Sequence, residues 1–408
     1  MIGNLFRAAL FLCLLAAAAG ISATANAQTL ALVGGKVYAS PDAMPLDDAV
    51  VITANGVIAA IGSRSDVQIP SDARVIDCAG KTVVAGFWNS HVHFTQAVWK
   101  DAGSAPAAPL AEHMQAMLTR WGFTTVWDLG SDGRDTLALR RRVNSGEVPG
   151  PDIHTAGGIF PKDGHPAYLP AEMKLPMAST PEEAAQWART FMGFGLDGVK
   201  LFTGSFKGSG KPVVNMDPAI ARAAVDVAHA AGKPVFAHPQ NMAGVDAVIA
   251  AGVDIMAHTV AGEPVYSPEQ LARFKQQGIA LIPTLSLFAK LPVAPDIATR
   301  LVATTVSQVK VFSDTGGPVL FGTDVGFTTY YDTTLEYELM HRAMSARQIL
   351  ASLTTNPAQY FKAAKKGRVE KGFDADVVVL DGDPTADVTN LAKVTYTIRA
   401  GKVIYQKL

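Results

Sequence analysis

The chain has 408 residues, 49 % of them hydrophobic and 17 % charged, with 35 basic against 36 acidic side chains and a formal net charge of −1. That length fits two or three domains, or one large barrel with an accessory domain. The balance excludes a disordered or fibrous chain, and the lack of any basic stretch speaks against a nucleic-acid partner.

Residues 1–27 read as a cleaved secretory signal of the bacterial Sec type. Arg7 supplies the positive start, Ala8 to Gly20 is an apolar run too short to span a bilayer, and Ala25-Asn26-Ala27 is a small-residue cleavage pattern. The expectation is a periplasmic or extracellular protein cut after Ala27, with no stable membrane association afterwards; an uncleaved anchor is the alternative. Cys13 follows Phe11-Leu12 rather than the small residues a lipid-attachment site wants. Cys78 is then the only cysteine of the mature chain, so no internal disulfide can form. It lies where Val75-Ile76-Asp77 runs into Ala79-Gly80, which suits a buried structural thiol better than a nucleophile.

From Leu30 to Ala85 the pattern is short strands and turns. Ala49–Ile52 and Val57–Ile61 flank Ala54-Asn55-Gly56, a hairpin signal. At Val83 the texture changes to apolar strands alternating with amphipathic helices. The predicted strands are Val83–Phe94, Thr124–Leu129, Asp152–Phe160, Gly198–Thr203, Pro234–His238, Asp254–His258, Ala280–Leu285 and Pro318–Asp324. Most are apolar runs, as expected for strands buried on both faces. Helices are predicted between them, among them Asp217–Ala231 and one starting at Ser267-Pro268 and stopping at Gly278. Eight β–α alternations argue for a parallel (β/α)₈ barrel. One more helix, Ala346–Lys362, precedes short strands at Gly367–Val369, Ala375–Leu380 and Val394–Tyr405. The predicted organisation is an α/β chain: signal 1–27, barrel 83–362, and a small β-sandwich domain built from 28–82 and 363–408.

In such a barrel chemistry gathers at the C-terminal ends of the strands. The first strand ends in His91-Val92-His93, the fourth carries Lys200, the fifth ends in His238, the sixth in His258 and the eighth in Asp324. Period-two geometry puts His91 and His93 on one side of their strand. Alone, an H-x-H pair is a weak motif. Yet the chain has nine histidines, and four fall at three predicted strand ends. Neutral imidazole and carboxylate are the normal ligands of zinc and related divalent ions. A lysine ammonium binds no metal, and on sequence chemistry alone Lys200 reads as a snorkelling or salt-bridged residue.

The ordered set resembles the amidohydrolase superfamily over nearly the whole mature chain, and within it the imidazolonepropionase-related and prolidase-like members. The resemblance is carried by Gly86–His93, Gly198-Val199-Lys200, Ala237-His238, Ala257-His258 and Gly322-Thr323-Asp324, together with Asn356-Pro357-Ala358 and Lys371–Leu380. It implies two divalent ions. His91, His93 and Asp324 would hold the more buried ion, His238 and His258 the other, and Lys200, carboxylated on its side-chain nitrogen, would bridge them. It also implies hydrolysis of a carbon–nitrogen bond in an amide, dipeptide, N-acyl amino acid or cyclic amide. A metal-bridging hydroxide would attack, and Asp324 would handle the proton.

The remaining candidates are weaker. His165 and Tyr168, in the long loop after the third strand, are candidates for substrate contact. Tyr330 and Tyr331 follow the eighth strand and either wall the pocket or pack within their loop. His113, His229 and His341 fall in helical stretches, and His154 lies low in its strand, where a structural role is expected. Two other functions stay open on the sequence. One is a mononuclear deaminase on the same barrel, which would want a glutamate soon after His238 where Pro239-Gln240-Asn241 stands. The other is a non-catalytic metal-binding scaffold. A small-molecule substrate is the expected partner, and the oligomeric state is left open.

Overall fold

The computed structural model describes residues 29–408; the expected signal segment lies outside the described residues. The two ends of the chain meet in one sheet. Leu30–Val37, Leu46–Ala54 and Val57–Ser63 form an antiparallel meander. Its second turn is the predicted hairpin, with Asn55 and Gly56 both at positive φ between the paired Ala54 and Val57, as a two-residue primed turn requires. Val377–Leu380, Val394–Arg399 and Lys402–Gln406 extend the sheet on the other side. The strand that joins the halves is Thr82–Ala85, parallel to Leu30–Val37 and antiparallel to Val377–Leu380.

The predicted strand Val83–Phe94 is therefore two strands. Thr82–Ala85 belongs to the terminal sheet, and Phe87–Val92 begins the barrel. Gly86 is the break. Its N–H donates to Asp376 O at 2.8 Å, and any Cβ there would collide with the Thr124 side chain.

Seven parallel strands follow in strict chain order around the barrel: Phe87–Val92, Phe123–Leu129, Asp152–Pro161, Gly198–Leu201, Val235–Ala237, Ile255–Ala257 and Ala280–Ile282. Nearly every residue in them is buried, which is why they read as apolar runs rather than alternations. The eighth position is filled by extended chain that forms only isolated bridges, Leu281 with Val319 and Val92 with Val325. Ser90 N–H to Phe321 O at 2.7 Å and His93 N–H to Val325 O at 2.7 Å close the ring. Asp324 sits at φ +59° in this segment, which no regular strand tolerates.

Helices cover the outside, and the local signals that start them are visible. Ser267 and Gln270 form a reciprocal capping box at Pro268–Gln277, and Asp217 caps Pro218–Ala230. The predicted late helix divides at Thr354 into Ala346–Leu353 and Thr355–Tyr360. Pro357 cannot donate to the carbonyl of Leu353, so the helical ladder breaks there. Phe361 then packs against Trp88, Trp127 and Phe236. These rings fill the barrel at the end away from the strand tips.

Candidate metal centre

The barrel closure just described builds the first half of the site. Asn89 donates to Thr323 Oγ1 at 2.8 Å and accepts from the backbone N–H of His91 and Thr323. Asp324 N–H donates to His91 O at 2.9 Å. Strand one and the 321–325 segment are thus locked together, and their side chains converge. Asp324 Oδ1 lies 3.1 Å from His91 Nε2 and 2.9 Å from His93 Nε2. One donor atom from each of the three lies within 4.8 Å of the others. Gly326 lets the next turn pass: it sits at φ +100°, and a Cβ would run into the His93 carbonyl.

The second half comes from strands five and six. The His91 and His258 rings are 4.5 Å apart, and those of His258 and His238 are 4.7 Å apart. Hydrogen bonds fix which nitrogen each of this pair offers. Thr284 Oγ1 donates its proton to Pro283 O at 2.8 Å, so it must accept from His258 Nδ1, 2.7 Å away. His258 Nε2 is left with the lone pair. Gln240 Oε1 can only accept, so His238 Nε2, 3.0 Å from it, carries the proton and Nδ1 is free. Such partners orient metal-binding imidazoles and set their tautomer. His258 and Thr284 both hold positive φ, at +125° and +49°. Strain of this kind persists only where surrounding structure enforces it.

Part of that enforcement is Glu336, fully buried on the helix Thr334–His341. Its two oxygens accept the backbone N–H groups of Leu285 (2.8 Å) and Ser286 (2.6 Å), the residues just after Thr284. Burial pushes its carboxyl up to about 7, against the pull of those bonds. Sequence reading missed Asn89, Gln240, Thr284 and Glu336. The first two stand two residues from a candidate ligand, which is a usable signal; the others are remote in the chain.

Lys200 is 1 % exposed on strand four. Burial lowers its amine to about 7, with Asp324 opposing. Burial, then the neighbouring Lys200, lowers His91 to about 3 and His238 to about 4. Burial raises Asp324, but His91 and His93 outweigh it and hold the carboxyl well below its ordinary range. The site thus collects His91, His238 and His258, all lowered by burial, an amine that burial helps to lose its proton, and a carboxylate. Although Asp324 Oδ1 approaches both imidazoles, neither it nor His91 Nδ1 or Nε2 makes a well-directed hydrogen bond, and all three atoms are buried. Buried polar atoms without partners are costly. Orphaned nitrogen and oxygen lone pairs facing one another fit a divalent ion of the zinc type.

These side chains open into a cavity of about 620 Å³. Its wall includes Phe160, Tyr168, Phe202, Phe206, Phe288 and Phe327. Tyr168 meets Phe327 edge-on at 5.2 Å, both rings being partly exposed to solvent. His165 does not line the cavity: its Nδ1 and Nε2 each lie 3.1 Å from a backbone carbonyl, of Pro166 and Met173. Tyr330 and Tyr331 are not among the lining residues either. Tyr331 hydrogen-bonds His113 and Gln96. His154 stacks on Trp127, His229 pairs with Asp254, His341 approaches Met344 O, and Cys78 is buried in the terminal sheet.

The amidohydrolase family model matches residues 82–404. Ochratoxinase from Aspergillus niger is 22 % identical over 437 residues, covering 94 % of this chain and 88 % of that protein. Imidazolonepropionase from Thermoplasma acidophilum is 28 % identical over 190 residues, 40 % of this chain and 43 % of that one. A solved Xaa-Pro dipeptidase, with methionine bound in its active site, shares the fold with a TM-score of 0.79 at 23 % identity, covering 93 % of this chain and all of the other.

Proposed function

The chain belongs to the amidohydrolase family, hydrolases of carbon–nitrogen bonds, and on that premise we propose that it cleaves an amide bond of a small molecule at a centre of two divalent ions, of which zinc fits the donors. One observation carries the reading: partnerless lone pairs of His91 and Asp324 sit in a row of histidine rings at one cavity. His91, His93 and Asp324 would hold one ion, and His238 through Nδ1 and His258 through Nε2 the other. Lys200 would join both after its neutral amine adds to carbon dioxide, forming a carbamate and releasing a proton. The relatives named above, an imidazolonepropionase and a dipeptidase among them, support the bond type.

Bound ions supply Lewis acidity and an ionised water near neutral pH. The rest falls to the chain. Asp324 turns Oδ1 toward the two imidazoles, which leaves Oδ2 to take the proton of the attacking water and deliver it to the leaving nitrogen. Thr284 and Gln240 hold His258 and His238 in fixed tautomers. The aromatic wall offers an apolar surface to the groups that flank the reacting bond. Cys78 is buried in the core of the terminal sheet, away from these side chains, and has no part in the chemistry.

Metal analysis tests the reading. It expects close to two ions per chain, with loss on His91→Ala or His238→Ala. A single ion, with Lys200→Ala still active, overturns it. We also propose export, on the strength of Arg7, the apolar run and Ala25-Asn26-Ala27; N-terminal sequencing of protein from a bacterial periplasm would then begin at Gln28, and an intact Met1 in that fraction would count against it.

A further inference from the structure

Two of the proposed ligands are aimed by hydrogen bonds to their own rings, His258 by Thr284 and His238 by Gln240. His91 is enclosed, with none of its side chain exposed. His93 has neither support. Its side chain is 15 % exposed, and among the described residues Asp324 is the only ion-pair or hydrogen-bond partner of its ring. It also lies one residue beyond the end of its strand, Phe87–Val92. Whatever fixes its direction must therefore act through the backbone.

Two anchors flank it. On one side His93 N–H donates to Val325 O at 2.7 Å. On the other side strand one is paired with strand two, but the last pair of that ladder is Val92 with Asp128. Gly130, at φ +119°, then turns strand two away. The N–H of Phe94 donates instead to Ser131 Oγ at 2.7 Å. An amide N–H can only donate, so Ser131 Oγ accepts it, and the hydroxyl proton goes to Asp128 Oδ1, 2.6 Å away. The two peptide groups beside the His93 Cα are thus each held by a neighbouring part of the barrel wall.

Asp128 is fully buried, and its partners fix it. Oδ1 also accepts Ser131 N–H at 3.3 Å. Oδ2 accepts Thr136 Oγ1 at 2.7 Å, from the helix Gly133–Ser145, and Thr155 Oγ1 at 3.0 Å, from strand three. A strand-to-helix turn needs only the bond to Ser131 N–H. The hydroxyl bond to Phe94 spans 37 residues and serves a different strand. Neither Asp128 nor Ser131 lines the cavity.

We infer that Asp128 and Ser131 are positioning residues for His93: together they replace the missing rung of the ladder and hold the backbone that aims His93 at its ion. This role rests on the two-ion reading above. It requires an oxygen acceptor at residue 128 and a hydroxyl at residue 131, not a charge. Asparagine meets the first need, with its oxygen toward the two donors of Ser131 and its amide toward threonine hydroxyls that can turn and accept.

Two measurements on the full chain read His93 apart from turnover. One is zinc affinity after chelation, by competition with a chromogenic chelator. The other is the visible spectrum of the cobalt(II)-loaded protein, which follows ligand geometry. Ser131→Ala should weaken zinc at the position held by His91, His93 and Asp324 about 10–100-fold, the usual cost of losing an outer partner, and should shift the cobalt bands. Ser131→Thr and Asp128→Asn should match the wild type in both. Asp128→Ala should weaken zinc about as much as Ser131→Ala, and the double variant no more than either, since both break one path. Should Asp128→Ala fail to fold, the Ser131 pair decides, because that residue is only half-buried. Wild-type affinity with an unchanged cobalt spectrum in Ser131→Ala overturns the positioning role. Losses that add in the double variant, or a loss shared by Ser131→Thr or Asp128→Asn, overturn it as well. A wild-type chain that binds no metal would instead defeat the two-ion reading, and this role with it.

Discussion

Glu336→Gln isolates the buried carboxyl behind Thr284. The carboxyl is pushed from its ordinary 4.5 to about 7, chiefly by burial. Between those two values the folded protein keeps a proton that the unfolded chain has already released. Stability therefore falls as pH rises through that window and levels off above about 7. At about 1.4 kcal/mol per tenfold change in proton affinity, the loss between pH 5 and pH 8 comes to about 2–3 kcal/mol. Glutamine cannot ionise, so the variant lacks this slope. It also exchanges one acceptor for a donor facing a backbone N–H, an offset of about 1–3 kcal/mol that does not vary with pH. The observable is the difference in unfolding free energy between variant and wild type, from urea denaturation followed by tryptophan fluorescence at pH 5, 6, 7 and 8. Titrations common to both proteins cancel in that difference. The variant should gain about 2–3 kcal/mol on the wild type across the series. A flat difference would refute the buried-acid argument. A change in the other direction would show that the N–H groups of Leu285 and Ser286 outweigh burial and keep Glu336 ionised.

Three further outcomes are expected. Gly326→Ala would force a methyl into the His93 carbonyl at a positive φ, costing about 2–4 kcal/mol of stability and displacing His93; full metal retention with unchanged stability would contradict this. Thr284→Val removes the acceptor that holds His258 Nδ1–H, and on the proposed two-metal reading zinc affinity at the position held by His258 should drop about 10–100-fold in calorimetric titration; equal affinity would sink the tautomer assignment. The Cys78 thiol is buried, and burial pushes it up to about 12, so it stays protonated at pH 8. In the native protein Cys78 should stay unlabelled by a disulfide reagent at that pH and react only on unfolding; rapid labelling of Cys78 in the folded protein would show that the terminal sheet opens there.

What the sequence discloses, and what it withholds, follows from how parallel strands are buried. A strand covered on both faces must be apolar along its length, so one polar residue at its tip stands out. Lys200, His238 and His258 are visible for that reason, and so is the H-x-H pair. The barrel is legible on the same grounds, but not where the apolar run crosses a change of partner. Val83 to Phe94 looks continuous because both sheets want the same residue types, and only the steric demand at Gly86 separates them. The eighth position looks like a strand for its composition, whereas Asp324 at positive φ shows it is a strand in pairing only.

The supporting side chains follow a different rule. Asn89 and Gln240 act on neighbours two residues away, a distance at which the strand itself sets the geometry. Thr284 reaches His258 across 26 residues, and Glu336 reaches Leu285 across 51. No local pattern encodes a contact of that separation, since loop and helix positions decide it. His165 makes the same point from the other side. Its chemistry suits a substrate, and its loop does approach the cavity, where Tyr168 arrives three residues later. But a loop must satisfy its own backbone before it can serve a ligand. His165 is occupied by the carbonyls of Pro166 and Met173, and the residue beyond it is the one turned to the site. Replacing His165 with Gln, which keeps a donor for one carbonyl, should therefore alter turnover less than replacing Tyr168 with Ala, and the reverse order in kcat/KM would return His165 to the substrate.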